Sequence, residues 1–408
     1  MKKLELNKIY EGDSLEVLKT FPDESIDMCV TSPPYWGLRD YGEEKQIGME
    51  DTPEEFIDNL CDIFDEVYRV LKPEGSCWVN LGDSYVNHKG NYTSRGQAIN
   101  KRTSRDEPKY GKKLHMSSHP FYKDKSLAMV PSRFAVEMMR RDWILRNEFI
   151  WYKSSCMPAS VKDRYTVDFE KLFFFTKKKK YYFKQQLEPL VTPYELLVKD
   201  KRGKGWEGKG TGGSKKVNSV ANHGGNKSMG ETMNPDGRNK RTVWNINPKG
   251  FKDAHFAVYP PELIESPIDA GCPEEICTKC GKVRVKIMES PPNPKGISGR
   301  AGTPMVSKDG VVDTSNGTKR IEPGHNSSVA TNSKFVGYDE CDCGADFEAG
   351  VVLDPFMGSG TTAEVAMKQG KNWVGIDLNP EYIEIADKRL KPTIIEKKTK
   401  EKASEFWG

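Results

Sequence analysis

Two short segments carry residue types that can bind and act on a small polar ligand. Near the N-terminus, Ser32-Pro33-Pro34-Tyr35 sets a hydroxyl, a proline-fixed turn and an aromatic ring side by side. Near the C-terminus runs Asp354-Pro355-Phe356-Met357-Gly358-Ser359-Gly360-Thr361-Thr362. Its glycines allow a tight turn and close backbone approach to a ligand, and Thr361 can start a following helix. Asp377 ends the next apolar run, where an acidic side chain can accept both ribose hydroxyls of a nucleoside. No lysine follows the glycines as in a P-loop, and Asp-Pro-Phe stands where a dinucleotide fingerprint has another glycine. A third group is made of cysteines. Cys277-x-x-Cys280 is followed by Gly281, and Cys341-x-Cys343 by Gly344. Four thiolates can form a tetrahedral zinc site. The gap between the pairs is long for a zinc ribbon, but it is low-complexity and can loop out at modest entropic cost. Reduced, unligated thiols remain the alternative.

The elements that must position these residues can be read from the apolar pattern. Ile26–Val30 precedes Ser32 and Val351–Leu353 precedes Asp354, each as a buried parallel strand. Open α/β sheets bind ligands beyond the carboxyl ends of such strands, so the two loops read as halves of one active site, about 320 residues apart in sequence. Lys8–Asp13 reads as a strand ending in a turn, with a short helix over 14–20. Thr52-Pro53-Glu54-Glu55 is a capping box, and behind it Phe56, Ile57, Leu60, Phe64, Val67 and Leu71 keep helical spacing. Further strands are expected at 77–81, 148–152 and 373–377, with helices over roughly 127–141, 361–370 and from Pro380, and a frayed tail after 391. A strand and helix are expected over 255–268, with Cys272 ending that helix. Residues 171–176 and 181–183 are expected to pair as a hairpin. The alternation predicts a doubly wound, mostly parallel seven-stranded sheet with helices on both faces and one antiparallel strand near an edge. The chain divides as 1–198 with a basic loop at 85–125, a basic flexible insertion at 199–245, 246–289 with the first cysteine pair, a low-complexity insertion at 290–335, the second pair and glycine loop at 336–391, and a tail at 392–408.

The net charge of +4 does not by itself establish a nucleic-acid partner. Its distribution says more. Lys199, Lys201, Arg202, Lys204, Lys209, Lys215 and Lys216, followed by Arg238, Lys240 and Arg241, can neutralise phosphates, or can be a solvated insertion. No run approaches the roughly 20 apolar residues that span a bilayer, and the N-terminus lacks the apolar core of a signal peptide. A cytoplasmic protein with no membrane partner is expected, its nine cysteines reduced or metal-bound.

Taken together, these motifs resemble the S-adenosylmethionine-dependent amino-group DNA methyltransferases. The likeness is to bacterial and phage members of the permuted branch, in which S/D/N-P-P-Y/F precedes the glycine loop. Trp36-Gly37-Leu38-Arg39-Asp40-Tyr41-Gly42, Arg69–Gly75, Asn80-Leu81-Gly82-Asp83-Ser84 and His255–Pro260 extend the resemblance. It implies a Rossmann-like methyltransferase fold in which Asp354, Pro355 and Phe356 line the methionine portion of the cofactor. Gly358, Ser359, Gly360 and Thr361 form its loop, Asp377 takes the ribose, and Asp13 in Gly12-Asp13-Ser14-Leu15 contacts the adenine. It makes Ser32, Pro33, Pro34 and Tyr35 catalytic. An exocyclic amine is a poor nucleophile because its lone pair is delocalised into the ring. The Ser32 hydroxyl and Pro33 carbonyl can accept its hydrogens and free that pair, while Tyr35 can stack on a base removed from its duplex. Cytosine-C5 methylation would need the thiolate of a Pro-Cys pair, and none occurs. Serine before Pro-Pro-Tyr accompanies cytosine N4 in that family, with adenine N6 as runner-up. Double-stranded DNA is the expected partner; a cognate restriction endonuclease and the choice of monomer or homodimer are left open. A DNA- or RNA-binding protein on the same fold that has lost catalysis, and an RNA or small-molecule methyltransferase, are the competing readings.

Overall fold

The computed structural model describes residues 4–38, 43, 46–86, 123, 125–190, 237–248, 258–289, 320–322 and 334–407. Its frame is one sheet of β1 (Lys8–Glu11), β2 (Ile26–Thr31), β3 (Leu71–Leu81), β4 (Ile144–Tyr152), β5 (Phe169–Thr176), β6 (Val243–Asn245), β7 (Val351–Asp354) and β8 (Asn372–Asp377). The spatial order is β1-β8-β7-β2-β3-β5-β4-β6. Every neighbouring pair is parallel except the two that involve β5. The chain crosses from β4 to β5 through 153–168 at one end of the sheet, with no crossover helix, so β5 must run back antiparallel.

The strands alternate between two cores. Cys29, Val79, Phe175, Leu353 and Ile376 pack on one face, and Met28, Trp78, Phe174, Val352 and Trp373 on the other. The first face is covered by α1 (Ser14–Leu18), α2 (Pro53–Val70) and α3 (Val130–Arg140), through Leu18, Phe64 and Phe134. The second is covered by α4 (Pro261–Gly271), α5 (Thr361–Lys368) and α6 (Pro380–Trp407), through Leu263, Ala363 and Leu390. Thr52 caps α2 by accepting from the Glu55 N–H at 3.2 Å, with Pro53 in the first turn. Phe56, Ile57, Leu60, Phe64 and Val67 are buried along its inner face. Cys272 is the C-cap of α4.

Several expectations are corrected. The sheet has eight strands, not seven, because Val243–Asn245 adds to the edge beside β4. That strand and its neighbour Arg238–Asn239 lie in a stretch expected to be a flexible insertion. Arg238 and Arg241 both donate to Glu188 Oε1, at 2.8 and 2.7 Å, and Lys240 lies over the Trp244 ring at 4.6 Å. Each of these three cations thus has a partner within the fold. The hairpin of 171–176 with 181–183 does not form. Phe169–Thr176 pairs with β3 and β4, and Phe183 instead stacks on Phe174 at 5.7 Å. The last helix does not fray after 391 but continues to Trp407 with Pro392 inside it. Lys199–Lys216, most of the 85–125 loop, Arg39–Gly42, His255–Ala257 and most of 290–335 lie outside the described residues.

Asp27 braces the centre of the sheet. Its nearly buried carboxylate on β2 accepts from the Lys72 ammonium at 2.8 Å and from the Val351 N–H at 2.9 Å, so one side chain ties β2 to the starts of β3 and β7. Asp27→Ala strands a buried N–H and leaves a half-buried ammonium unpaired. We expect a loss of about 2 kcal/mol, read as a lower urea midpoint at unchanged slope. A variant unfolding at the parent's urea concentration would show that the brace contributes nothing.

Candidate active site

The glycine loop is assembled from behind by Asp354. This carboxylate is fully buried at the end of β7 and accepts from the Thr31 hydroxyl at 2.5 Å, the Phe356 N–H at 3.0 Å and the Tyr259 hydroxyl at 3.2 Å. The Thr362 hydroxyl also donates to it. Burial pushes its pKa up, and these donors oppose the shift. Thr31 immediately precedes Ser32, so one carboxylate locks the end of β2 to the start of α5.

In front of that lock the loop turns through Gly358 and Gly360, whose φ angles of 52° and 80° favour glycine. The Gly358 N–H donates to Asp377 Oδ2 at 2.6 Å and the Asn379 N–H to Oδ1 at 2.9 Å. Burial raises the Asp377 pKa to about 6, against those two N–H donors. Arg389 on α6 pins the loop by donating to Thr361 Oγ1 at 2.8 Å and Ser359 Oγ at 3.2 Å. Ser14 reaches over from α1, donating to the Pro355 carbonyl at 2.6 Å. Asp13 caps α1 by accepting from the Glu16 N–H.

A cavity of about 510 Å³ runs along this edge of the sheet. One end is lined by Asp13, Pro355, Phe356, Gly358, Ser359, Thr361 and Asp377. Ser32, Pro33, Pro34 and Tyr35 line it after β2, and Asn80, Trp151, Lys153, Phe169 and Glu170 line it from β3, β5 and β4 and the residue after β4, farther from β7 in the strand order. The two loops are thus brought together in one cavity. Two expected cofactor residues are not on its wall. Asp354 stands behind the loop with its oxygens engaged, and Gly360 backs onto α6, where a Cβ would meet Ala386 Cβ at 3.0 Å.

Tyr35 lines the cavity and is held at both its ring and its hydroxyl. Its ring lies against Gly82, where a Cβ would approach Cε2 to 2.5 Å. Its hydroxyl donates to Glu170 Oε2 at 2.6 Å and lies 3.0 Å from Asn80 Oδ1. Ser32 Oγ is 3.4 Å from both the Tyr35 hydroxyl and Asn80 Oδ1. Glu170 also takes the Lys153 ammonium, which sits 4.1 Å from the centre of the Trp151 ring. Sequence reasoning passed over Lys153 and Glu170. The only signal was a pair of charges next to the apolar runs of β4 and β5, and their meeting depends on the register that sets Trp151 opposite Glu170.

The four cysteine sulfurs of Cys277, Cys280, Cys341 and Cys343 lie within 4.8 Å of one another. Ile276–Cys277 pairs antiparallel with Phe347–Glu348, and the Gly281 N–H donates to the Cys277 carbonyl at 2.9 Å. Gly281 and Gly344, with φ of 70° and 60°, make the turn after each pair.

A DNA methylase family profile matches residues 26–278 and 346–388. The type II methyltransferase M.Cfr9I of Citrobacter freundii is 32% identical over 389 residues, covering 95% of this chain and 89% of its own. M.SmaI of Serratia marcescens is 31% identical over 387 residues, covering 94% and 90%. Among solved structures, the cytosine-N4-specific PvuII DNA methyltransferase aligns with a TM-score of 0.47 at 16% identity, over 94% of this chain and 86% of its own. No helix among the described residues is long and apolar enough to cross a membrane. The chain belongs to the N6/N4 DNA methylase family, which transfers a methyl group from S-adenosylmethionine to an exocyclic amine of a base in DNA.

Proposed function

We propose that the enzyme methylates N4 of cytosine, with Ser32 as the side chain that addresses the target amine. The observation that supports this reading is that Ser32 lines the same cavity as the Gly358 loop and the Lys153–Glu170 pair, on a strand that stands between theirs in the sheet. A neutral hydroxyl accepts an amine hydrogen without burying a charge, and the family resemblance associates serine at this position with cytosine. Adenine N6 is the alternative.

The residues at the Asp377 end fit the cofactor. Asp377 supplies carboxylate oxygens for the ribose, Phe356 an apolar face, and the positive-φ Gly358 open space where a side chain would intrude. Asp13 lies within the same wall and would be the contact for the adenine. S-adenosylmethionine supplies an electrophilic methyl on a sulfonium, so no covalent enzyme intermediate is needed. Ser32 Oγ and the Pro33 carbonyl accept the two amine hydrogens and hold the nitrogen nearer a tetrahedral shape. Pro33 and Pro34 fix the turn, which leaves that carbonyl pre-aimed. Tyr35 and Asn80 hold Ser32 from behind. In chain order the Ser32 loop precedes the Gly358 loop, which supports assignment to the permuted branch.

We further assign a structural zinc to Cys277, Cys280, Cys341 and Cys343. Zn–S bonds of about 2.3 Å in a tetrahedron need sulfurs about 3.8 Å apart, and the cluster is compact enough to close on an ion with small side-chain movements. Four thiolates leave no open position, so the role is structural.

Ser32→Ala is expected to bind S-adenosylmethionine normally but to methylate on the order of 100-fold more slowly, the scale of one lost preorganised contact. Gly358→Leu, which needs a left-handed backbone and fills the cavity, is expected to fail at cofactor binding. Calorimetric titration with radiolabelled-methyl assays separates the two. Full activity in both would remove these loops from the mechanism.

Duplex DNA methylated by the enzyme and digested to nucleosides is expected to contain N4-methylcytosine by mass spectrometry. N6-methyladenine alone would overturn the target assignment and leave the fold and family untouched.

Elemental analysis of protein purified without chelator is expected to give about one zinc per chain. Cys280→Ser should lower that content and the thermal stability together. A metal-free preparation of full stability would dismiss the metal.

A further inference from the structure

The Lys153–Glu170 pair is unusual in its placement. Both side chains are only 17% exposed, yet both line the cavity, and in the strand order β7-β2-β3-β5-β4 the strand leading to Ser32 lies between that of the glycine loop and those of Glu170 and Lys153. Withdrawing two charges from water is expensive, and an ion pair in such a place is weak evidence for stability. It is not isolated either. The Tyr35 hydroxyl donates to Glu170 Oε2 at 2.6 Å, so the pair is tied through Tyr35 to the turn that carries Ser32. Trp151 supports the ammonium from one side at 4.1 Å.

A base whose amine donates to Ser32 and Pro33 presents a second feature to the pocket. In cytosine, as in adenine, the ring nitrogen beside the amine is an unprotonated acceptor. It is the better nucleophile of the two nitrogens, because its lone pair is not delocalised. A pocket that directs methylation to the amine gains by occupying that nitrogen with a donor. In this part of the cavity the Tyr35 hydroxyl already donates to Glu170, and Asn80 Nδ2 donates to the Lys171 carbonyl at 3.1 Å. An ammonium has three donors and can hold Glu170 while donating to a second acceptor.

We propose that Lys153 contacts the target base by donating a hydrogen bond to the ring nitrogen next to the amine, with Glu170 as its positioning residue. Glu170 fixes the ammonium relative to Ser32 and offsets its charge, so a strong donor is supplied without net positive charge where the amine itself becomes positive during methyl transfer. Lys153 thereby orients the ring and masks its competing nucleophile. This rests on the amino-methyltransferase reading of the cavity but is independent of which amine is the target.

The test is a cycle of protein and substrate changes, run on a synthetic duplex carrying the modified motif, once that motif is read by sequencing methylated DNA. Lys153→Met keeps an unbranched apolar side chain beside Trp151 and removes the donors. On the normal duplex it is expected to lower kcat roughly 10- to 100-fold, the scale of one specific base-edge contact, at unchanged S-adenosylmethionine affinity. Wild-type enzyme on a duplex with 3-deazacytosine at the target, which lacks the ring acceptor, is expected to lose a similar factor. The two losses should not multiply when combined, and Lys153→Arg should recover part of the rate. Independent, multiplying losses would overturn the contact. So would a Lys153→Met defect confined to KM that shrinks at low salt, which would mark a phosphate contact instead. If Lys153→Met fails to bind cofactor, the wild-type arm still decides, since full-rate methylation of the deaza duplex would refute the proposal. Should the product be N6-methyladenine, the cytosine assignment falls separately, and the same cycle with 1-deazaadenine tests Lys153.

Discussion

One buried carboxylate joins the two halves of the site. Asp354 is withdrawn from water at a cost of several kcal/mol if left unpaired, and four donors from three parts of the chain offset that cost. Thr31 comes from the end of β2, Phe356 and Thr362 from the glycine loop and α5, and Tyr259 from the approach to α4. Because Thr31 leads directly into Ser32, satisfying this one group sets the distance between the amine-handling turn and the cofactor loop. Removing any donor leaves the carboxylate short and loosens both loops together. One buried group thus fixes both loops, although the walls of the cavity come from segments more than 300 residues apart.

The rest of the site is built around that group in two unlike halves. The half over β7 and β8 is built from backbone. The Gly358 and Asn379 N–H groups orient the Asp377 carboxylate, and Ser14 and Arg389 tie down the loop through its carbonyl and hydroxyl groups. Backbone contacts of this kind depend on turn geometry, which two left-handed glycines supply. The half over β3, β5 and β4 is built from side chains, namely Asn80, Lys153, Glu170 and Tyr35. It exists because β5 runs antiparallel. Its first residues, Phe169 and Glu170, thereby arrive at the same end of the sheet as the last residues of β4 and β3. An all-parallel sheet would have put the start of that strand at the opposite end.

That difference explains what could be read from the sequence. The strand–loop–helix units around Ser32 and Gly358 are local, with continuous apolar runs and turn residues only a few positions apart, so their positions were legible, as were the α2 capping box and the cysteine pairs. Asp354 was legible as a loop residue, but its burial was not, because its partners Thr31 and Tyr259 are distant in sequence. Lys153 and Glu170 were missed for the same reason, since only strand register makes them neighbours. The eighth strand, Val243–Asn245, is three residues long in a basic, glycine-rich context. Its apolar signal is a single buried Trp244, too little to separate from a loop. The predicted hairpin failed because Phe173, Phe174 and Phe175 carry enough apolar surface for both faces of a central strand, whereas over Tyr181–Phe183 the Tyr182 N–H goes to the Glu74 carbonyl at 2.9 Å and Phe183 packs on Phe174.

The cysteine cluster is joined to the same framework by a short path. It lies between α4 and β7, and its two ends meet where the Gly350 N–H donates to the Pro273 carbonyl at 3.2 Å. Gly350 also sits directly on Cys272, with a Cβ there meeting the sulfur at 2.8 Å, so the junction admits no side chain. One residue later Val351 begins β7 and hands its N–H to Asp27, and three residues after that comes Asp354. A long insertion between Cys280 and Cys341 would otherwise pull on a strand only four residues long. Among the described residues the insertion is closed at its base by strand pairing, Val285–Glu289 with Lys334–Asp339 and Ile276–Cys277 with Phe347–Glu348, which leaves the strand that carries Asp354 under the control of the sheet.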